Sequence, residues 1–534
     1  MQPDHIFPKS PMVNGLLVVG IFTLLAWPLD MLPLKFEEPR RALVALEMMY
    51  SGNYWAPTIH GEFYYNKPPL FNWLLAGLFV LLGPENWVER LPTLFSITVI
   101  SLTIFFFFRK KVGAEVAALS ALAFTLSGHM LFYFSFQGEI DATFSFVVVM
   151  QALCVMHFFH RRRWSGLFFT SYLLMTAGFL LKGLPSVAFQ GLTLLGILVL
   201  NGQWRKLLHY SHFLAMAASL LLIIGYFYQY SGYHDPELML AKLTIESSRR
   251  VSGHWMDYLL QWIKFPFLLI ILMLPGSLLL ILFRRYEWYR VTHHPWMNYC
   301  YCFLLVNLPI YWLAPGTRDR YLYMFLPFLY ILIFYLGIRA LKQNAEYVRW
   351  LVNGLAGIVA IALVILAIVP GDFSTVWSLV GAVLLLTLIL IGRKDYLHPV
   401  LGIIVLMIVL RFIYNVVVFP IRQHSPDNVA AVSHAERVFE IADGRKVYLV
   451  SKAREQTLQL PFRDVLSYTD FDRLPYQFTF YYSKLYGDIL PWRAEPNGND
   501  LYLIGASEAA QGEVLYDFEM QGRQYMLMSP RPTR

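Results

Sequence analysis

Apolar runs long enough to cross a lipid bilayer recur along this chain from Met12 almost to Phe419. A spanning α-helix needs about 20 predominantly apolar residues, and a helix apolar on every side has no face to offer to water. The runs fall near 12–30, 88–108, 114–133, 141–159, 164–181, 186–200, 211–229, 264–283, 297–313, 321–338, 350–369, 374–391 and 398–419, about thirteen in all. Composition points the same way. Only 15% of the 534 residues are charged and 57% are hydrophobic, where soluble domains average about 25% charged; the mean hydropathy is +0.49. The expected class is therefore mainly α: a polytopic membrane bundle of about 13 transmembrane helices, followed by a small α/β domain. Charged residues rather than a cleavage site follow the first run, so it reads as a retained first helix.

Charge orients the bundle. The net charge of +8 is carried largely by short basic clusters at the ends of apolar runs: Arg109-Lys110-Lys111, Arg161-Arg162-Arg163, Arg205-Lys206, Arg284-Arg285, Arg339 with Lys342, and Arg393-Lys394. All fall on one side if the short run Leu70–Gly83 lies in the interface instead of crossing, and that side is then cytoplasmic. This distribution marks topology, not nucleic-acid binding. The expected orientation puts the N-terminus in the cytoplasm and the C-terminus outside. Cys154, Cys300 and Cys302 all lie inside apolar runs, so neither a disulfide framework nor a cysteine metal site is expected.

The opposite face holds most acidic residues of the membrane portion and two long connections, about 31–87 and 230–263. Long loops in a compact protein are usually functional, so the site is expected there. From about residue 423 to 534 no spanning run occurs. A helix-like stretch, Ala431–Ala442, is followed by strand-like ones at Val447–Val450, Gln477–Tyr482, Leu501–Ile504 and Val514–Phe518, the expected periplasmic α/β domain.

Several outer segments carry residues suited to chemistry. Lys35-Phe36-Glu37-Glu38-Pro39-Arg40-Arg41 reads locally as a capped helix start, and functionally as a carboxylate base beside anion-holding arginines. In Asn66-Lys67-Pro68-Pro69 the prolines force an extended lead into the interfacial helix, holding Lys67 where an ammonium meets a lipid phosphate; a snorkelling lysine is the plainer reading. Glu139 and Asp141 sit at the mouth of two apolar helices, where an ionisable group implies function unless it is a structural ion pair. Lys182, Arg249, Arg250, His254, Arg318, Arg320 and Tyr321 add cations and polar rings to the same face. Carboxylates beside cations suit a phosphate or diphosphate bound next to a base. No His, Cys, Asp and Glu spacing matches a closed metal site.

Glu37-Glu38-Pro39-Arg40, Asn66-Lys67-Pro68-Pro69, Asp141 and Lys182-Gly183 together resemble motifs of the polyprenyl-phosphate-dependent glycosyltransferases in the protein O-mannosyltransferase superfamily, which includes the bacterial transferase that puts aminoarabinose on lipid A. The resemblance covers the membrane portion, most specifically residues 30–185. It implies a GT-C transferase of the bacterial inner membrane, inverting, metal-independent or weakly metal-dependent and requiring no cofactor. Its donor would be a polyprenyl-phosphate sugar, and its acceptor lipid A, lipopolysaccharide, or another outer-face glycan or protein. Glu37, Asp141 and Glu38 would be the catalytic carboxylates. Lys67, Arg40, Lys182, Arg249, Arg250, Arg318 and Arg320 would hold the donor phosphate, with Glu139, His254 and Tyr321 at the substrate. The chain departs from the family at Glu37, usually Asp, and at Arg41, often Tyr. A transporter or a lipid-linked glycan binding protein is the alternative. A transporter would place charges near mid-membrane and repeat its halves; here charges favour one face and no repeat occurs.

Overall fold

Among the described residues the long apolar runs are mostly helical, because backbone N–H and C=O groups in lipid must find partners within their own segment. The structure, a computed structural model, describes residues 6–7, 10–251, 253–282, 285–367, 381, 398–450, 476–493, 500–506 and 512–530. Eight helices among these are long and apolar enough to span a bilayer: Pro11–Asp30, Asn86–Val112, Ile140–His160, Trp164–Lys182, Tyr210–Ser231, Trp255–Leu272, Leu326–Gln343 and Pro399–Gln423. Proline opens several helices, including Pro185–Leu200, Pro295–Asn307 and Pro399–Ile413, where its missing N–H leaves no bond unmade. Arg109, Lys110 and Lys111 close Asn86–Val112, opposite in charge to its C-terminal dipole.

The expectation of about thirteen spans is met by eight full-length ones among the described residues, because several apolar runs are divided. The run at 114–133 becomes a helix Ala114–Thr125 and a π-helical turn Met130–Phe134. That at 264–283 starts earlier, at Trp255, ends at Leu272 and is followed by the 3-10 segment Gly276–Leu282. The run at 374–391, apart from Gly381, lies outside the described residues. Leu70–Leu82 is a 13-residue helix, too short to cross, as its length suggested.

The long loop 31–87 is folded. Helix Glu38–Ser51 is buried along most of its length. It is followed by a hairpin of β1 (Thr58–Ile59) and β2 (Glu62–Phe63). The two-residue turn His60-Gly61 has φ of 55° and 78°, the positive pair a tight hairpin requires. Glu47 accepts bonds from Thr58 Oγ1 at 2.8 Å and from the backbone N–H groups of His60 and Gly61 at 2.5 and 3.2 Å. The other long loop docks on this hairpin through His234, which stacks on Phe63 at 4.1 Å and bonds the Tyr65 hydroxyl at 2.6 Å.

Beyond the last apolar helix, Pro426–Ala442 precedes a five-stranded mixed sheet of β3 (Val447–Val450), β4 (Trp492–Arg493), β5 (Leu501–Gly505), β6 (Glu513–Met520) and β7 (Arg523–Ser529), in the order β4-β3-β5-β7-β6. β3 runs parallel to both neighbours, whereas β7 pairs antiparallel with β5 and β6. The strand expected at Gln477–Tyr482 is instead part of helix Tyr476–Tyr486. This helix is covered on two sides, Phe478 packing on Phe518 of the sheet and Phe480 on Phe79 of helix Leu70–Leu82. Burial on both sides removes the 3.6-residue alternation that would have marked a helix.

Candidate active site

Glu38 and Arg90 form the centre of the cluster of charged residues at the helix ends. Arg90 sits one turn inside Asn86–Val112, is 2% exposed, and directs all five of its N–H groups at oxygen. Nε and one Nη2 hydrogen go to Glu38 at 2.8 and 3.0 Å, Nη1 goes to the carbonyls of Leu29 and Leu32 at 2.6 and 2.8 Å, and Nη2 also reaches Pro33 at 3.1 Å. The Glu38 carboxylate further accepts from the backbone N–H groups of Lys35 and Gly138 at 2.8 and 2.7 Å. One ion pair thus joins the end of the first helix, the start of the Glu37 helix and the loop bearing Glu139. Glu89 lies beside it, fully buried, and would come within 1.5 Å of a Cβ at position 138. A side chain there would force the Glu89 carboxylate to move.

A second ion cluster continues from this one. Arg320 donates to Glu139 at 2.6 Å and pairs with Asp141 at 3.2 Å. Asp141 also binds the ammonium of Lys182, which lies 4.1 Å from the ring centroid of Tyr321. Glu139 and Asp141 are both 3% exposed. Burial pushes the Glu139 carboxyl up to about 7; Arg320 opposes that push and Asp141 adds to it. Next to Arg320, Asp319 accepts from His129 at 3.2 Å, and this bond holds its carboxyl below the usual range.

Glu37 differs from these buried acids. It precedes helix Glu38–Ser51, has a side chain 28% exposed, and pairs with Arg40 and, at 3.9 Å, with Arg41. Arg41 is buried and donates to the hydroxyl of Tyr64, just past the hairpin, at 2.7 Å. Arg40 lies over the ring of Tyr476 at 5.8 Å. Lys67 is buried just ahead of Leu70–Leu82.

The structure therefore brings together Glu37, Glu38, Arg40, Glu139, Asp141, Lys182, Arg320 and Tyr321, and alters the expectation for several. Glu38 and Asp141 are enclosed by cations and amides, which leaves Glu37 as the accessible carboxylate of the group. Lys182 and Arg320 balance buried carboxylates instead of standing open to a phosphate. His254 is exposed and caps Trp255–Leu272, its backbone N–H bonded to Asp257 at 2.9 Å. Arg318 is exposed just before the Asp319–Tyr321 turn. Arg249 and Arg250 end helix Pro236–Val251, and their side chains lie outside the described residues. Glu89 and Arg90 were missed because they fall at the edge of an apolar run; two adjacent charges inside such a run were the available signal. No group of three or more His, Cys, Asp or Glu is placed to hold a metal ion among the described residues.

Residues 66–228 match the family of dolichyl-phosphate-mannose-protein mannosyltransferases. The chain is 21% identical over 345 residues to an undecaprenyl phosphate-alpha-4-amino-4-deoxy-L-arabinose arabinosyl transferase of Proteus mirabilis, covering 61% of each chain. It is 24% identical over 302 residues to the corresponding transferase of Shewanella sediminis, covering 48% of this chain and 55% of that one. These alignments span between half and two thirds of the relatives' own lengths. The crystal structure of ArnT from Cupriavidus metallidurans bound to undecaprenyl phosphate superposes with a TM-score of 0.71 over 97% of this chain and 98% of that one, at 16% identity. Its apo form superposes with a TM-score of 0.69. In fold over nearly its whole length, and in sequence over part of it, this multi-pass membrane chain resembles the GT-C glycosyltransferases of the aminoarabinose transferase kind.

Proposed function

We propose that this protein moves a sugar from a polyprenyl-phosphate donor to an outer-face acceptor, with lipid A or lipopolysaccharide as the leading class. The observation that carries this reading is an accessible carboxylate, Glu37, set against buried Glu38–Arg90 and Asp141–Lys182–Arg320 clusters at the outer helix ends. The names of its relatives and the undecaprenyl phosphate bound by the similar ArnT structure supply the donor class.

In this mechanism Glu37 takes the proton of an acceptor hydroxyl or phosphate oxygen as that oxygen attacks the anomeric carbon. A carbon–oxygen bond forms on one face while the bond to the phosphate oxygen breaks on the other. The anomeric centre inverts, and polyprenyl phosphate leaves with the electron pair. Lys67 and Arg40, both in the loop 31–87, stabilise the charge growing on that phosphate. Asp141 and Glu139 hold Arg320 and Lys182 in place behind the acceptor. Residues 1–422 form the catalytic membrane domain and 423–534 a periplasmic one, with the N-terminus cytoplasmic. The basic helix ends at Arg109–Lys111 support that orientation.

The test is purified protein given a panel of polyprenyl-phosphate sugars, with and without acceptors, scored for released polyprenyl phosphate. Glu37→Gln should lower turnover by roughly 10²–10⁴-fold, the usual worth of a general base, while donor binding is kept. Absence of release from every donor by the wild-type protein would sink the proposal and favour a binding protein or transporter.

A further inference from the structure

Arg411 is a fully buried guanidinium that the proposed chemistry does not use. It lies near the C-terminal end of Pro399–Ile413, and no carboxylate pairs with it among the described residues. Its Nη1 donates to the Leu131 carbonyl, while Nε and Nη2 have no hydrogen-bond partner among the described residues. Aromatic rings surround it: its Cζ lies 5.4 Å from the ring centroid of Phe136, 5.6 Å from Phe419 and 5.9 Å from Tyr414. A charge so placed inside a spanning helix is costly and calls for a function.

The backbone on both sides of Arg411 supplies an independent observation. Leu131 belongs to the π-helical turn Met130–Phe134, and Arg411 is followed at once by a second π-helical turn, Tyr414–Val418. Such turns are rare and recur at functional sites. The two are bound to each other. The Tyr414 hydroxyl donates to the Phe132 carbonyl at 3.4 Å, and Arg422 donates to that same hydroxyl at 3.0 Å. Phe136 packs edge-on to Phe419 at 4.9 Å and lies between the guanidinium groups of Arg411 and Arg422, the latter at 5.7 Å. The chain then runs directly through Gln137 and Gly138, the latter bonded to Glu38, to Glu139 and Asp141.

We propose that Arg411 is a positioning residue: by gripping the Met130–Phe134 turn and the face of Phe136 it sets the loop 135–139, and through it Glu139 and Asp141, against Arg320 and Lys182. The cation substitutes for a rigid covalent tie between the last apolar helix and the acidic loop. Its consequence for turnover rests on the transferase reading; its consequence for loop order does not.

The experiment uses the full chain in lipid nanodiscs, with Arg411→Met and Arg411→Lys. Hydrogen exchange is read by mass spectrometry, and kcat and KM with the donor that the wild-type protein turns over. Arg411→Met should raise exchange at least tenfold in peptides covering 130–139 and leave those covering 95–112 unchanged. It should lower kcat about 10- to 100-fold with KM within threefold, and Arg411→Lys should recover part of both effects. Unchanged exchange in 130–139 overturns the proposal, as does a uniform rise across all helices in both variants. If the wild-type protein turns over no donor, the transferase reading fails while the exchange result still decides the role of Arg411.

Discussion

Arg90 shows what one side chain contributes here. Its five hydrogen bonds and the four accepted by Glu38 make both groups intolerant of single removal, because each would leave the other buried and charged. Arg90→Ala should lower stability by about 3–5 kcal/mol, the usual cost of an orphaned buried ion, measured by denaturation of the purified protein in detergent. Arg90→Lys should also destabilise, since a point charge cannot reproduce the planar fork. Glu139 leads to a prediction on pH. Its carboxyl is raised from an ordinary 4.5 to about 7, so the folded state keeps a proton that the unfolded chain has lost between those values. Stability contributed by this group therefore falls as pH rises from 4.5 to 7, and is level above that. Melting temperature followed across this window should decline less in Glu139→Gln than in the wild-type protein; parallel curves would refute the assignment.

At the scale of elements, the aromatic helix Tyr476–Tyr486 ties the C-terminal sheet to the site. The Tyr481 hydroxyl accepts from the Leu34 backbone at 2.9 Å and donates to Asn86 at 2.8 Å, and Lys484 pairs with Glu85 at 2.6 Å. The Trp492 backbone donates to the His60 carbonyl at 3.0 Å, which joins β4 to the β1–β2 turn. Tyr481→Phe removes one hydroxyl and leaves the Leu34 N–H without it. A loss of about 1–3 kcal/mol is expected from such an unsatisfied buried group, with a fall in turnover because Leu34 leads directly into the Glu37 helix. Unaltered stability and turnover would show that the helix merely rests on the loop. That this segment is a helix at all was hidden, since its buried aromatics serve two neighbours and alternate like a strand's.

The whole molecule is legible from its sequence in outline. Runs of apolar residues establish a polytopic membrane protein, and the basic clusters carry the proposed orientation, with the acidic residues on the opposite face. The orientation is tested with single cysteines in a background lacking Cys154, Cys300 and Cys302. A membrane-impermeant maleimide applied from outside should label Arg523→Cys and spare Lys110→Cys; the reverse pattern would invert the topology. The membrane reading succeeds because hydrophobicity adds locally along the chain, where a window of about 20 residues contains the whole signal. Ion pairing does not work that way. Glu38 meets Arg90 across 52 positions, and Asp141 meets Lys182 across 41, so their pairing depends on distance through space. Tertiary structure alone decided that Glu38 and Asp141 are enclosed, that Glu37 remains open, and that Arg411 stands behind the loop between them.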